Sequence, residues 1–372
     1  MVYLSASKQN KVKPMGKDKH FSGQPVYVQL LNLIDCNIIR KISSRGGHDR
    51  YVKKLDGYTR LVAFLFAVLM HYDTLRELVI GMMAEANKLQ HLGLDYLVKR
   101  STISDANNKR SSQFFRDVYK HLYNKYRHIL SDSRLKPWEK QLYILDSTTI
   151  TLFSTILMGA GRNPKHGKKK GGIKAHCVIR YDEWSPCFVD FTSAATHDIK
   201  TLNGLHFPEG SFLAIDRAYI DYGEMERLTM EKVWYVTKMK ESLTYEVLDS
   251  RTLVLPAGLV EMTVSTVLFR KGEVAHTARM IEYWTEDGKH ATLLTNNFDL
   301  TEADIIEIYN HRWQLEQLFK QLKQNFPLKY FYGESVNAIE SQIWVTLIAN
   351  LLLTVVQRRV RRKLAFSNLA TL

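Results

Sequence analysis

Five short apolar runs between residues 141 and 239 decide what this chain can become. They read QLYILD (141–146), KAHCVIRYD (174–182), PCFVDFTSA (186–194), SFLAID (211–216) and VWYVTKM (233–239). Each has strand length and is rich in β-branched and aromatic residues. The turn-like EWS joins the second run to the third, and a short helical stretch (221–230) lies between the last two. Strands interleaved with helix predict an α/β domain around a mixed sheet. From about 241 to 298 the pattern turns β-rich, with TYEVLDS, GLVEMTVSTVLF, TARMIEYW and ATLLTNN. Helical periodicity returns at 301. A β-rich block set between α/β strands and a helix reads as an insertion into one domain. No internal repeat is visible.

The chain before these strands has another character. Residues 1–20 are polar and basic and read as a flexible arm. Residues 24–135 read as helical. LVAFLFAVLM (61–70) is a fully buried helix segment, and TLRE (74–77) has the hydroxyl-x-x-Glu form of a capping box. STISDANNKRSSQFFRDVYKHLYNKYRHIL starts with cap residues and runs on with helical periodicity. Asn107, Asn108, Lys109 and Arg110 sit near its start, as they would in a bundle that reads DNA or in a plain one. SDSRLKPWEK (131–140) is the boundary segment. The division expected is therefore an arm (1–20), a helical DNA-binding region (21–135) and a catalytic domain (136–372) with its insertion at 241–298.

Charge narrows the partner. Fifty-two Lys and Arg face 38 Asp and Glu, a net +14, and the isoelectric point is 9.4. A surface that basic attracts polyanions, nucleic acid above all. The longest apolar run, IWVTLIANLLLTVV (343–356), is short for a bilayer span and contains an Asn, so no membrane is expected. The N-terminus lacks a signal-type apolar stretch. Cys36, Cys177 and Cys187 form no CxxC pair, which argues against a disulfide framework or structural zinc and for a reduced, intracellular protein.

Three acids stand out. Asp146 and Asp216 each follow an apolar strand, at the sheet edge where α/β ligand sites tend to lie. Either alone is more often a turn or helix cap. Glu316 belongs to YNHRWQLEQLFKQLK (309–323). A helix advances about 100° per residue, so Tyr309, Arg312, Glu316 and Lys323 fall within an arc of about 60°. Leu315, Leu318, Phe319 and Leu322 form the apolar face; Asn310, Gln314, Gln317, Gln321 and Gln324 look solvated. The plain reading of the seam is an i,i+4 pair of Arg312 with Glu316. The functional reading is a hard-oxygen site for Mg²⁺ or Mn²⁺ flanked by an arginine fork, a lysine and a tyrosine for a phosphate backbone. Lys165, Lys168, Lys169, Lys170 and Lys174, in the glycine-rich GRNPKHGKKKGGIKAH, read as a solvated loop able to clamp DNA by counterion release.

The spacing Tyr-x2-Arg-x3-Glu-x6-Lys resembles the signature of bacterial insertion-sequence transposases of the IS-four family, the group that includes the transposon-five enzyme. The contexts LYILDSTTI and FLAIDRAY are similar to those of the family's first and second catalytic Asp. FSGQPVYVQLLNLI and STISDANNKR resemble the N-terminal region of one branch, so the likeness covers nearly the whole chain. The resemblance implies a DDE enzyme with a ribonuclease-H-like core carrying a β-rich insertion, preceded by an α-helical region. It implies that Asp146, Asp216 and Glu316 are catalytic and bind two Mg²⁺, with Mn²⁺ able to substitute. Water would attack at the transposon end, and the freed 3′-hydroxyl would then join target DNA. It implies inverted-repeat ends and target DNA as partners, a homodimer in the synaptic complex, and a cytoplasmic, nucleoid-associated bacterial protein. Some relatives grip a flipped base with an aromatic from the insertion; Trp284 is the candidate, against a packed strand aromatic. Trp313 lies within the signature and could pack on the DNA end or in the core. Relatives usually continue past the end VQRRVRRKLAFSNLATL, where Arg358, Arg359, Arg361, Arg362 and Lys363 could bind DNA or complement a helix terminus. The alternative is a truncated, catalytically silent protein that occupies transposon ends.

Overall fold

The computed structural model describes residues 26–86, 94, 98–132, 134–151, 172–193, 199–254, 261–285, 287–359 and 365–367. The arm, Lys165, Lys168, Lys169, Lys170, Arg361, Arg362 and Lys363 lie outside them. The chain divides into two compact units, one of residues 1–130 with 320–372, the other of residues 131–319. Residues 320–372, which the sequence places with the catalytic domain, group with the N-terminal helices.

The first unit holds α1 (Val26–Leu31), α2 (Cys36–Arg45), α3 (Gly57–Leu69), α4 (Leu75–Ala84), α5 (Arg100–Lys109) and α6 (Gln113–Leu130). Side-chain caps set three of the starts. Asp35 accepts from the Asn37 and Ile38 amides, Asp56 from Thr59, and Thr74 from Glu77. Each cap satisfies amides that the first turn leaves unpaired. Glu77 reaches back to the Asp73 amide at 2.8 Å, one residue earlier than a reciprocal capping box would place it. Between Leu61 and Val68 every residue of α3 is buried, as its all-round apolar sequence predicts.

The expected single helix from 101 is two. Arg110 is extended (ψ 135°), and the chain restarts at Gln113. Asn337 Oδ1 takes the Ser112 amide at 2.7 Å, and Glu340 takes the Ser112 hydroxyl at 2.7 Å. These long-range bonds replace the local ones that would have continued the helix. Asn107, one of the amide residues near the start of that stretch, is 1% exposed and belongs to the core.

The second unit is built on one nine-stranded sheet in the order β3-β2-β1-β4-β5-β9-β8-β7-β6. Its strands are β1 (Leu142–Thr151), β2 (Gly172–Arg180), β3 (Pro186–Ser193), β4 (Phe212–Ile215), β5 (Trp234–Lys238), β6 (Glu246–Val254), β7 (Glu261–Lys271), β8 (Val274–Trp284) and β9 (His290–Thr295). β1 runs antiparallel to β2 and parallel to β4, and β4 parallel to β5, so the class is mixed α/β. The β-rich block continues this sheet, because β9 pairs antiparallel with β5. The one-turn α7 (Ile199–Leu202) precedes β4, and α8 (Tyr222–Met230) links β4 to β5. α9 (Glu302–His311) packs on β4 and β5. α10 (Trp313–Asn325) follows. Leu145, Val178, Leu213, Ile215, Tyr235 and Leu294 centre the core. Inside it, Tyr235 Oη lies 2.7 Å from His276 Nε2, and His276 Nδ1 lies 2.8 Å from Glu226, which ties β5, β8 and α8 together.

α11 (Val336–Arg359) completes the helical unit, packed on α3, α5 and α6. Among the described residues it alone is long and apolar enough to span a bilayer, and 89% of its apolar window is buried inside the structure. It is a core helix, as its central Asn350 (1% exposed) requires: Asn350 Oδ1 accepts from Gln321 at 2.9 Å. Gln321 is therefore partnered rather than solvated.

Phe115 is fully buried, 5.1 Å from Phe114 and 6.0 Å from Phe64, with the Arg60 guanidinium 4.4 Å over its ring. Phe115→Ala is expected to lower unfolding free energy by about 3–5 kcal/mol, read as a shift of the urea midpoint. Arg60, itself 2% exposed, bears a charge that burial disfavours. Arg60→Met keeps the stem and removes the charge, so its midpoint is expected to stay level or rise.

Candidate active site

Strand register brings the two aspartates together. The parallel pairing of β1 with β4 ends at Leu145 opposite Ile215; Asp146 is the next residue of β1 and Asp216 the first residue past β4. Neighbouring strands lie about 4.8 Å apart, so two carboxylates emerge side by side at the carboxyl edge of β4. β1 does not end at Asp146, however. It runs on to Thr151, paired with β2 through Thr151 opposite Gly172. Asp146 thus sits within a strand, held on one side only. Asp216 caps the turn that follows β4, accepting the Ala218 amide at 2.9 Å. The common structural use of a strand-end Asp and its place in a site coexist in one residue.

Buried polar contacts fix that turn. His176, fully buried and opposite Ser147 in the register, has Nε2 2.7 Å from Thr192 Oγ1 and Nδ1 3.3 Å from the hydroxyl of Tyr219. Tyr219 closes the turn begun at Asp216, so β2 and β3 steady the second aspartate. Nothing local in KAHCVIRYD marks His176 for this; its partners lie 16 and 43 residues away.

The third acid comes from a helix that is broken where the sequence predicts continuity. α9 stops at His311 and α10 starts at Trp313. The Arg312 amide bonds Tyr309 O at 3.0 Å and the Leu315 amide bonds Arg312 O at 3.2 Å, both one residue tighter than an α-helical turn. His311 anchors the break. Its ring lies 4.1 Å from that of Tyr181 and 6.0 Å from that of Trp138. Gln314 Nε2 lies 3.4 Å from His311 Nδ1, so Gln314 faces the protein rather than solvent.

From this break Arg312 reaches across to the sheet. Its Nη1 lies 2.8 Å from Asp146 Oδ2, and its Nη2 lies 2.8 Å from Glu316 Oε1. The guanidinium carbon stands 5.8 Å over the Tyr309 ring. Side-chain exposures are 16% for Arg312, 14% for Asp146 and 34% for Glu316. The pairing with Glu316 is the i,i+4 contact the sequence allows; the bond to Asp146, 166 residues away, is not legible locally.

The electrostatics follow. Burial pushes the Asp146 carboxyl up to about 6; the Ser147 amide and Arg312 work against this, and the charges of Asp216 and Glu316 add to it. Both neighbouring acids thus favour the protonated form of Asp146. Burial works against the Arg312 charge too, but Asp146, Tyr309 and Glu316 outweigh it and the pKa is raised. Burial likewise raises the Tyr309 phenol; Arg312 lowers it and Asp216 raises it again. Cys177, directly opposite Asp146, is held neutral by burial and by that aspartate's charge.

A crowded acidic pair bridged by one cation suits a divalent cation in its place: the donors are hard oxygens, their charges are in excess, and a cation already sits among them. Among the described residues, the group with ligand atoms all within 4.8 Å is a different one, Glu139, Glu307 and His311. There Lys136 supplies the charge, with Nζ 2.6 Å from Glu307 and its amide 2.6 Å from Glu139. That cluster braces the base of the break.

The structure therefore links Asp146, Arg312 and Glu316 by direct bonds, with Tyr309 beside the guanidinium and Asp216 one residue past the strand paired with β1; the three carboxylates do not all come within 4.8 Å of one another. Lys323 lies on α10 beyond the division between the units, exposed to solvent. Trp313 is 57% exposed, which excludes the core reading, and Trp284, at the end of β8, is 55% exposed beside His290 at 5.4 Å. Lys168, Lys169 and Lys170 lie outside the described residues.

Comparison with known proteins identifies the family. The family model described as Transposase DDE domain matches residues 137–352, and a domain of unknown function (DUF4372) matches residues 22–95. The chain is 26% identical over 261 residues to a Sinorhizobium fredii protein named as transposase y4zB, covering 69% of this chain and 71% of that one. It is 25% identical over 263 residues to a Synechocystis protein named as a transposase for insertion sequence element IS4SA, covering 68% and 70%. A Geobacillus stearothermophilus protein named as a transposase for element IS5377 is 26% identical over 216 residues, covering 58% and 56%. With Asp146, Asp216 and Glu316 all inside the matched span, the chain belongs to the DDE transposase family of divalent-metal-dependent enzymes that cut and join DNA.

Proposed function

We propose that this transposase serves an insertion sequence, cleaving at the element's inverted-repeat ends and joining the freed 3′-hydroxyl to target DNA. The carrying observation is the parallel pairing of β1 and β4 that ends at Leu145 and Ile215, one residue before Asp146 and Asp216, with Glu316 linked to Asp146 through Arg312. The ligand set proposed is Asp146, Asp216 and Glu316 for two Mg²⁺, with Mn²⁺ as substitute. Bound there, a pair of divalent ions would activate the attacking oxygen and stabilise the leaving one. β1 to β5 form the ribonuclease-H-like core in this reading, β6 to β9 the insertion, and the N-terminal helices the DNA-binding region.

The chain's own residues position the strand. Arg312 offers a planar fork for two phosphate oxygens, and Tyr309 offers a hydroxyl and a ring beside it. Lys323 and the loop lysines Lys168, Lys169 and Lys170 add sequence-independent phosphate contacts. Trp284 and Trp313, both largely exposed, are placed to stack on unpaired bases at the cut end. The names of the relatives from Synechocystis and Geobacillus, each tied to an insertion sequence, support the element assignment. Acting on chromosomal DNA, the protein would sit in the bacterial cytoplasm at the nucleoid. Pairing two ends calls for a homodimer in the synaptic complex.

End cleavage on inverted-repeat duplexes tests this. The wild-type chain with Mg²⁺ or Mn²⁺ is expected to nick, while Asp146→Asn, Asp216→Asn and Glu316→Gln each lose more than about a hundredfold in rate. A wild type that binds the ends and never cuts would establish instead the silent, end-occupying protein. The elevated Asp146 pKa gives the sign of the pH dependence. Below about 6 the carboxyl holds its proton and cannot take a cation, so at limiting metal the rate should rise about tenfold per pH unit there and flatten above. Lys323→Ala should weaken all duplexes alike and reduce the slope of log affinity against log salt by about one.

A further inference from the structure

We propose that Arg312 makes metal loading conditional on DNA: its guanidinium holds Asp146 and Glu316 in the DNA-free chain and releases them when a backbone phosphate takes its place. The inference rests on the reading of Asp146 and Glu316 as metal ligands. Two bonds of 2.8 Å, one from each terminal nitrogen, put the guanidinium between the two carboxylates. Ligands sharing one Mg²⁺ bind at about 2.0–2.1 Å, so their oxygens stand roughly 3 Å apart. A guanidinium bonded to both cannot remain in that space. The acids and Arg312 form one cluster whose negative charge the guanidinium only partly offsets, and metal and arginine are rivals for it.

The rivalry is biased toward arginine until DNA arrives. Arg312 is 16% exposed, and its Nε is buried without a hydrogen-bond partner among the described residues. Leaving the carboxylates with no other anion at hand would strand a buried cation. A phosphodiester supplies that anion with matching fork geometry. It would also place a partner near the third donor, which the carboxylates leave unmet. Tyr309, with its ring 5.8 Å beneath the guanidinium, offers a surface along which the group can turn. Phosphate binding and metal binding then help each other, and the help must be equal in both directions.

Mn²⁺ titration by electron paramagnetic resonance reads this directly, using an inverted-repeat duplex already cut at the 3′ end and carrying a dideoxy terminus. The wild type is expected to bind Mn²⁺ at least about tenfold more tightly on the duplex, and saturating Mn²⁺ should tighten the duplex by the same factor. In Arg312→Ala the DNA-free affinity should rise toward the duplex-bound value, and the factor should fall to near one. Arg312→Lys keeps the charge but can bond only one carboxylate at a time, so its factor should fall between. Lys323→Ala loses the same charge elsewhere and should keep the wild-type factor. An unchanged factor in Arg312→Ala and Arg312→Lys, or an equal fall in Lys323→Ala, overturns the exchange. Should Arg312→Ala fail to fold, Arg312→Lys and the two-way equality in the wild type carry the test. Mn²⁺ that never binds the wild type, or binds Asp146→Asn equally well, overturns the ligand assignment itself and the exchange with it.

Discussion

One guanidinium holds the site together. Asp146, Asp216 and Glu316 would repel if brought close with nothing between them, and burial makes that repulsion stronger because little water screens it. Arg312 resolves the conflict by bonding Asp146 on the sheet and Glu316 on its own helix. Such an ion pair contributes modestly to stability, since desolvation offsets much of the attraction. Its value is geometric. It fixes which turn of the helix faces which strand, and in the proposed function it holds the acids until a cation takes its place.

The rest of the unit serves that placement. Parallel pairing of β1 and β4 to a common end sets the spacing of the two aspartates. The His176–Thr192–Tyr219 contacts hold the turn beyond Asp216. At the helix, His311 seated against Tyr181 and Trp138, with Glu139 and Lys136 below, fixes the break that aims Arg312 at the sheet. A straight helix would carry Tyr309, Arg312 and Glu316 in one stripe but would give no reason for Arg312 to cross to β1. The tightened turn at Arg312, with its i→i−3 bonds, supplies the reorientation.

How much of this could be read from the residues depends on the range of the forces involved. Apolar runs are local signals, so β1 to β5, the buried α3 and the β-rich stretch were visible, and so was the seam of Tyr309, Arg312 and Glu316. Distant partners overrode local pattern elsewhere. Asn337 and Glu340 break the helix at 110–112, and their bonds span 225 and 228 residues. β1 outlasts Asp146 because β2 continues to pair with it, which no periodicity within QLYILD could reveal. Gln314 and Gln321 look solvated on a helical wheel, yet His311 and Asn350 take them inward. The Arg312–Asp146 bond was out of reach for the same reason: neither residue's neighbourhood names the other.

In the proposed function Asp146, Asp216 and Glu316 form the cation site, with Arg312 in it until DNA displaces it. Anomalous scattering from Mn²⁺ in crystals of the chain bound to a cut inverted-repeat end tests this most directly. The account predicts manganese peaks bounded by those three carboxylates, with the Arg312 guanidinium turned onto a phosphate. Manganese found instead at Glu139, Glu307 and His311, with Arg312 still spanning Asp146 and Glu316, would contradict it.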